Sequence, residues 1–288
     1  MPQTINTNLN SLNAQRSLGS SQIALSLSMQ RLSSGLRVNS AKDDAAGLAI
    51  AERMTTQVRG MNAAMRNAND GISLAQTAEG GLGKVADTLQ RMRELAVQAA
   101  NSTNSDSDKD SLDKEFGELA KEAQRVLGAT TFNGKHVLGS DAGTMNFQVG
   151  ANTTANDTIN ITTSDMTTDA TITAVAGTDN TGAGRALIDS TANATTIQGV
   201  IDNIDTAIST VNDQRAVMGA SQSRFDSVIA NLQVSVENQT AARSRIMDAD
   251  FAAETSNLSR AQILQQAGNA MVAQANALPQ QVLKLLQG

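Results

Sequence analysis

The sequence predicts a mainly α chain: an elongated bundle of long antiparallel, coiled-coil-like helices, with the N- and C-terminal helices paired and a small β-hairpin region. Three observations predict it. Between Ile197 and Ile246, one seam recurs in alternating steps of four and three, through Ile201, Ile204, Ile208, Val211, Arg215, Met218, Gln222, Phe225, Ile229, Leu232, Val236, Gln239 and Arg243. A mean period of 3.5 held for about fifty residues marks one face of a helix packed along others. At 1.5 Å per residue that helix is roughly 75 Å long, too long for an ordinary compact domain. The second observation is composition. The chain has no Cys, Trp or Tyr and only five Phe, so thin bundles of small and aliphatic side chains are easier to build than a thick core. The third is that both chain ends carry 4-3 stripes with no globular mass beside them.

The first element spans residues 5–38. Leu18, Gln22, Leu25, Met29, Leu32 and Leu36 hold the register, with Ile5, Leu9 and Leu12 further back. Ser33-Ser34-Gly35 is a poor helix interior, so a break is expected there. Ser40 is expected to cap the next helix, with Asp43 and Asp44 at its positive end. Its seam runs Ala51, Met54, Val58, Met61, Met65, Ala68, Ile72 and Ala75, and resumes as Leu82, Val85, Leu89, Met92, Ala96 and Ala99. Gly80, Gly81 and Gly83 lie between, and each costs about 1 kcal/mol relative to Ala. Packing on both sides is expected to carry the helix through with a local irregularity. The Met-rich seam reads as core filler, since Met adapts to irregular packing.

Residues 101–110 read as a polar loop. A shorter helix follows with Leu112, Phe116, Leu119, Ala123 and Val126 on one face and Gly128 at its stop. Asn133-Gly134 is a strong hairpin-turn signal. Residues 145–149 and 158–162 alternate like short strands, and 163–186 read as small β structure or surface loop. The last helix carries Leu264, Gly268, Met271, Ala275, Leu278, Val282 and Leu285 at 4-3 spacing, with a kink expected at Pro279. Two terminal helices paired only with each other would leave apolar surface in water. Other copies of the chain are the expected cover. A membrane is disfavoured, because the last helix offers only Arg260 and Lys284 for a basic face.

Chemistry is conspicuous by its absence. Without Cys, disulfides and thiolate metal sites are excluded. His136 is the lone His, which excludes two-His metal sets, and it is read as a surface residue beside the hairpin turn. A Ser/His/Asp triad lacks its GxSxG elbow. Gly80-Gly81-x-Gly83 lacks the Lys-Ser/Thr of a phosphate loop. No catalytic, cofactor-binding or metal-binding residue is expected. The net charge of −6 disfavours nucleic acid as a partner. No apolar run is long enough to insert in a membrane, and the first residues lack the pattern of a signal peptide, so secretion by another route, without a cleaved leader, is expected.

Several stretches resemble bacterial flagellin: RLSSGLRVNSAKDDAAGLAIAERM at 31–54, RNANDGISLAQTAEG at 66–80, LQRMRELAVQAANST at 89–103, FNGKHVL at 132–138 and SRIMDADFAAETSNLSRAQILQQAGNAMVAQANALPQQVLKLL at 244–286. The resemblance implies an extracellular filament subunit, exported unfolded and polymerised at the filament tip for swimming motility. It implies partners in further copies of the chain, an export chaperone, the filament cap and hook-junction proteins. A hook–filament junction protein is the alternative. It also implies an inner domain of 1–40 with 254–288 and a rod domain of 41–167 with 187–253. Residues 168–186 are then a short variable surface insert in place of a true outer domain. The subunit-assembly seam is expected to comprise Leu18, Leu25, Met29, Leu32, Leu264, Gly268, Met271, Leu278, Val282 and Leu285. Finally, the resemblance implies that the monomer is bound by a host Toll-like receptor through Arg91, Leu95 and Glu115. Spacing alone reads Leu95 as a widening of the core stripe and Arg91 as a solvated charge.

Overall fold

A computed structural model describes residues 7–286 of the chain, with side chains placed from 7 to 278. The side chains of Ile5, Pro279, Val282 and Leu285 therefore lie outside the described residues. The fold is mainly α: α1 (Leu9–Ser34), α2 (Ala45–Ala99), α3 (Asp106–Ala129), α4 (Ala170–Ala176), α5 (Ala194–Met247) and α6 (Phe251–Leu286). Two small antiparallel pairs complete it: β1 (Thr131–Phe132) with β2 (Lys135–His136), and β3 (Thr144–Gln148) with β4 (Thr158–Thr162). Two compact units divide the chain, Met1–Gln57 with Glu237–Gly288, and Val58–Val236.

The second unit holds the main core. Every seam position expected on α5 from Ile197 to Ile246 is buried or half-buried, and Ile197, Ile204, Val211, Met218, Phe225 and Leu232 are the most enclosed. The facing seam of α2 is buried in the same way, through Leu82, Val85, Leu89 and Met92. The two helices run antiparallel here. Gln222 donates to Glu79 at 3.0 Å, and Arg93 grips Asp205 with two bonds of 2.6 and 3.1 Å. α2 is continuous through its glycines, without the expected irregularity. Several glycines of α2 are close approaches, Gly71 and Gly81 among them. A Cβ on Gly71 would stand 2.7 Å from the Phe225 ring, and one on Gly81 2.7 Å from the Thr130 hydroxyl. The Phe225 ring in turn meets Phe147 of β3 edge-on at 5.6 Å.

The Asn133-Gly134 turn forms as expected. Both residues have positive φ, 49° and 79°, and Phe132 pairs with Lys135 across them. β3 and β4 pair in register from Thr144 with Thr162 to Gln148 with Thr158. Asn67 of α2 donates to the Gln148 carbonyl at 2.9 Å and ties this hairpin to the helix.

Four local expectations are corrected. Asp44, not Ser40, accepts the free Gly47 N–H of α2 at 2.8 Å, while Asp43 closes the preceding turn on Asn39 and Ser40. The polar stretch 101–110 is helical from Asp106, because Ser105 and Asp108 form a reciprocal capping box. α3 runs past Gly128 to Ala129, where Thr130 is the C-cap. Within 163–186, read as small β structure or loop, α4 forms and buries Ile172 and Val175 completely. Asp169 caps its start, and Gly177 at φ 84° ends it.

This region is fastened by a short repeated device. In Asp165-x-Thr167, Asp169-x-Thr171, Asp179-x-Thr181 and Asp189-x-Thr191 the Asp carboxylate accepts both the Thr N–H, at 2.8–3.0 Å, and the Thr hydroxyl, at 2.5–2.6 Å. A long-range clamp adds to it. Asp113 of α3 receives both Arg185 terminal nitrogens, at 2.8 and 2.5 Å, and the Ile188 N–H at 3.0 Å. Burial pushes the Asp113 carboxyl up, but the Arg185 guanidinium and the Ile188 N–H outweigh it and leave the group below the ordinary Asp value of 3.8.

Candidate functional site

The first unit is built on α1 paired with α6. They run antiparallel: Asn8 donates to the Ala275 carbonyl at 2.7 Å, Ser11 bonds Asn276 at 2.7 Å, and Arg31 meets Glu254 at 3.7 Å. Asn8 also caps α1 by accepting the Ser11 N–H, and Gly35 ends it in the left-handed region, where the Ser-Ser-Gly break is expected. The chain then crosses to α5, where Arg37 N–H bonds the Met247 carbonyl at 2.6 Å and Val38, Ala51 and Met247 form a small core.

The interior of the α1–α6 pair mixes small, polar and aliphatic side chains. On α6 the enclosed positions are Glu254, Leu258, Ala261, Gln265, Gly268, Val272 and Ala275, a 4-3 register. On α1 they include Ser11, Leu18, Ser21, Leu25 and Ser28. At Gly268 a Cβ would come within 3.1 Å of Leu18, so the two backbones approach closely there.

Several large apolar side chains point the other way. Ile23 is 73% exposed, Met271 62%, Met29 56%, Leu264 51% and Leu278 42%. Leu264, Met271 and Leu278 recur every seven residues on α6 and line an open groove of about 620 Å³ with Ala14, Ser17 and Ser21 of α1. The expected seam thus divides. Leu18, Leu25, Leu32 and Gly268 serve the pairing of α1 with α6, while Met29, Leu264, Met271 and Leu278 face outward. Val282 and Leu285 fall outside the described side chains. Large apolar side chains left exposed in a row on a helix pair mark a contact site.

The other expected patch lies on α2 and α3. Arg91 donates from Nε and Nη2 to Glu115 at 3.1 and 2.9 Å, and from Nη1 to Glu94 at 2.9 Å. Those bonds, Glu94 first, push the guanidinium pKa above the ordinary arginine value. Arg91 and Glu115 are exposed, but Leu95 is only 1% exposed and sits in the core. The Leu95 side chain fills the space between helices, the reading its spacing alone suggests. His136 is half-buried, with Nδ1 2.6 Å from the Gly128 carbonyl, so that nitrogen carries a proton and donates. Among the described residues no group of three or more His, Cys, Asp or Glu could hold a metal, and no helix is long and apolar enough to cross a membrane.

Two family models match the chain: the bacterial flagellin N-terminal helical region over residues 5–142 and the bacterial flagellin C-terminal helical region over 201–286. A flagellin of Halalkalibacterium halodurans is 44% identical over 283 residues, covering 98% of this chain and 99% of the relative. The chain belongs to the bacterial flagellin family. A flagellin of Xenorhabdus nematophila is likewise 44% identical, over 315 residues and the whole of both chains. The crystal structure of Bacillus cereus flagellin matches at 33% identity and a TM-score of 0.47, covering 62% of this chain and 94% of that one. Flagellins are structural proteins of the extracellular flagellar filament and not enzymes. The terminal helices of this flagellin, α1 and α6, fall inside the two matched regions.

Proposed function

We propose that this flagellin is exported unfolded and polymerises at the filament tip through the outer faces of α1 and α6. One observation carries the reading. The helix pair closes on Leu18, Leu25, Ala261 and Gly268 and still presents Ile23, Met29, Leu264, Met271 and Leu278 to its surroundings. A monomer gains nothing from that exposed stripe, whereas neighbouring copies bury it at every subunit. On this reading residues 1–40 with 254–288 form the inner domain, 41–167 with 187–253 the rod domain, and 168–186 a short insert. An export chaperone, the filament cap and the hook-junction proteins are its partners during assembly.

The surface around Arg91 and Glu115 is proposed as the contact for a host Toll-like receptor with the monomer. Arg supplies a planar multidonor anchor and Glu a complementary charge. Leu95 contributes by holding α2 against the core. The test of the filament reading is seeded polymerisation of the purified protein followed by electron microscopy. Long uniform filaments are expected. A protein that stays monomeric under seeding refutes it and favours the junction role.

A further inference from the structure

The chain has eleven Met residues, and the structure sorts them sharply. Met61, Met92, Met166, Met218 and Met247 are buried, and Met54, Met65 and Met145 are half-buried. Among the described residues only Met29 and Met271 are exposed, and both lie on the outward faces of the terminal helix pair. Met271 is the middle residue of the Leu264–Met271–Leu278 stripe and lines the groove. Met29 lies on the outer side of α1, between half-buried Leu25 and Leu32.

We propose that Met29 and Met271 are a redox-modification site whose oxidation by a peroxide blocks addition of the subunit to a filament. The proposal rests on the assembly role given above to the outer faces of α1 and α6. The reaction balances simply. A sulfur lone pair attacks one peroxide oxygen, an S–O bond forms and the O–O bond breaks. The departing oxygen leaves as water after a proton moves between the two oxygens. Sulfur is oxidised by two electrons and hydrogen peroxide is reduced to water, leaving a methionine sulfoxide that sulfoxide reductases can restore.

The consequence follows from the chemistry of the product. A thioether is apolar and adapts to a packed interface. A sulfoxide carries a strongly polar S–O bond whose oxygen needs a donor, and burying it without one is costly. The polar partners near Met271 include Asn10, Asn13 and Gln274 at the groove margin, while Leu264 and Leu278 flank it along α6. Subunits already assembled have these thioethers covered, so the site acts on the free subunit. The rest of the fold is spared, because its other described thioethers are wholly or partly enclosed.

The test uses the full chain. Purified subunits are treated with hydrogen peroxide and mapped by peptide mass spectrometry, and the treated and untreated pools are then polymerised on seeds. Sulfoxide should accumulate at Met29 and Met271 well before Met92, Met166 or Met218. The treated pool should need at least about a tenfold higher concentration to polymerise. A Met29→Leu, Met271→Leu variant should polymerise equally well with and without peroxide. Oxidation spread evenly over the methionines, normal polymerisation of subunits oxidised at both sites, or a variant that remains peroxide-sensitive overturns the proposal. Untreated protein that never polymerises overturns the filament reading, and the proposal falls with it. That result is distinguished because it needs no peroxide.

Discussion

Replacing Leu264 and Leu278 with Gln tests whether the outer stripe of α6 drives assembly. The two side chains are 51% and 42% exposed, so roughly half of each remains to be covered by another molecule. Complete burial of a Leu side chain is worth about 1.5–3 kcal/mol. The exposed halves together therefore offer about 1.5–3 kcal/mol per subunit added, and Gln forfeits it. That corresponds to a critical concentration raised roughly 10- to 150-fold. The monomer should barely notice. Gln is nearly as good a helix former as Leu, and surface substitutions usually change stability by less than about 0.5 kcal/mol. The assay is sedimentation of seeded polymer across a concentration series, with circular dichroism melting of the monomer as the control. An unchanged critical concentration in a variant with wild-type melting would refute the reasoning.

Three further outcomes are expected. Gly268→Leu should place a side chain where even a Cβ stands 3.1 Å from Leu18, costing about 1–3 kcal/mol of overpacking against less than 1 kcal/mol of helix propensity gained; hydrogen exchange of α1 and α6 should show it. Asp113→Ala leaves Arg185 and the Ile188 N–H without their shared acceptor and should cost about 3–5 kcal/mol, read as earlier unfolding of 58–236 in urea. Because Asp113 is held below 3.8 when folded, its contribution is fully present above that value and is lost as pH falls through the lower folded value, so the mutational penalty should shrink in acid. Arg91→Ala should weaken receptor binding by about 1–2 kcal/mol in a surface-binding assay, whereas Leu95→Ala should lower thermal stability by about 2–5 kcal/mol; equal receptor binding by folded Arg91→Ala would end the receptor assignment.

Much of the fold is legible in the sequence where one physical signal dominates. The α5 register from Ile197 to Ile246 holds because a helix packed along its length must keep one face inward, and every seam position is at least half-buried. Asn133-Gly134 is legible because few other dipeptides accept positive φ at both positions. The Asp113–Arg185 clamp is not legible, since nothing in local pattern joins residues 72 apart. The helix α4 was obscured by its Thr and Ala composition, although Asp169 and Gly177 at its ends were available as caps.

The candidate site shows the subtler failure. Apolar periodicity identifies a stripe but not what covers it. On α6 the stripe of Leu264, Met271 and Leu278 looks like the face for α1, yet α1 takes the neighbouring stripe of Ala261, Gly268 and Ala275. Small residues permit close backbone approach, so Gly268 meets Leu18 directly and Leu264, Met271 and Leu278 are left outside. Leu95 poses the converse case. Resemblance suggested a surface contact, while burial between helices satisfies the same residue.

The central claim is that the outward apolar residues of α1 and α6 are covered by other copies of the chain. An electron cryomicroscopy structure of the filament grown from this protein tests it most directly. Ile23, Met29, Leu264, Met271 and Leu278 should each lie against a neighbouring subunit with little solvent contact. A filament in which that stripe faces open solvent, or in which subunits meet through other surfaces alone, would contradict the account.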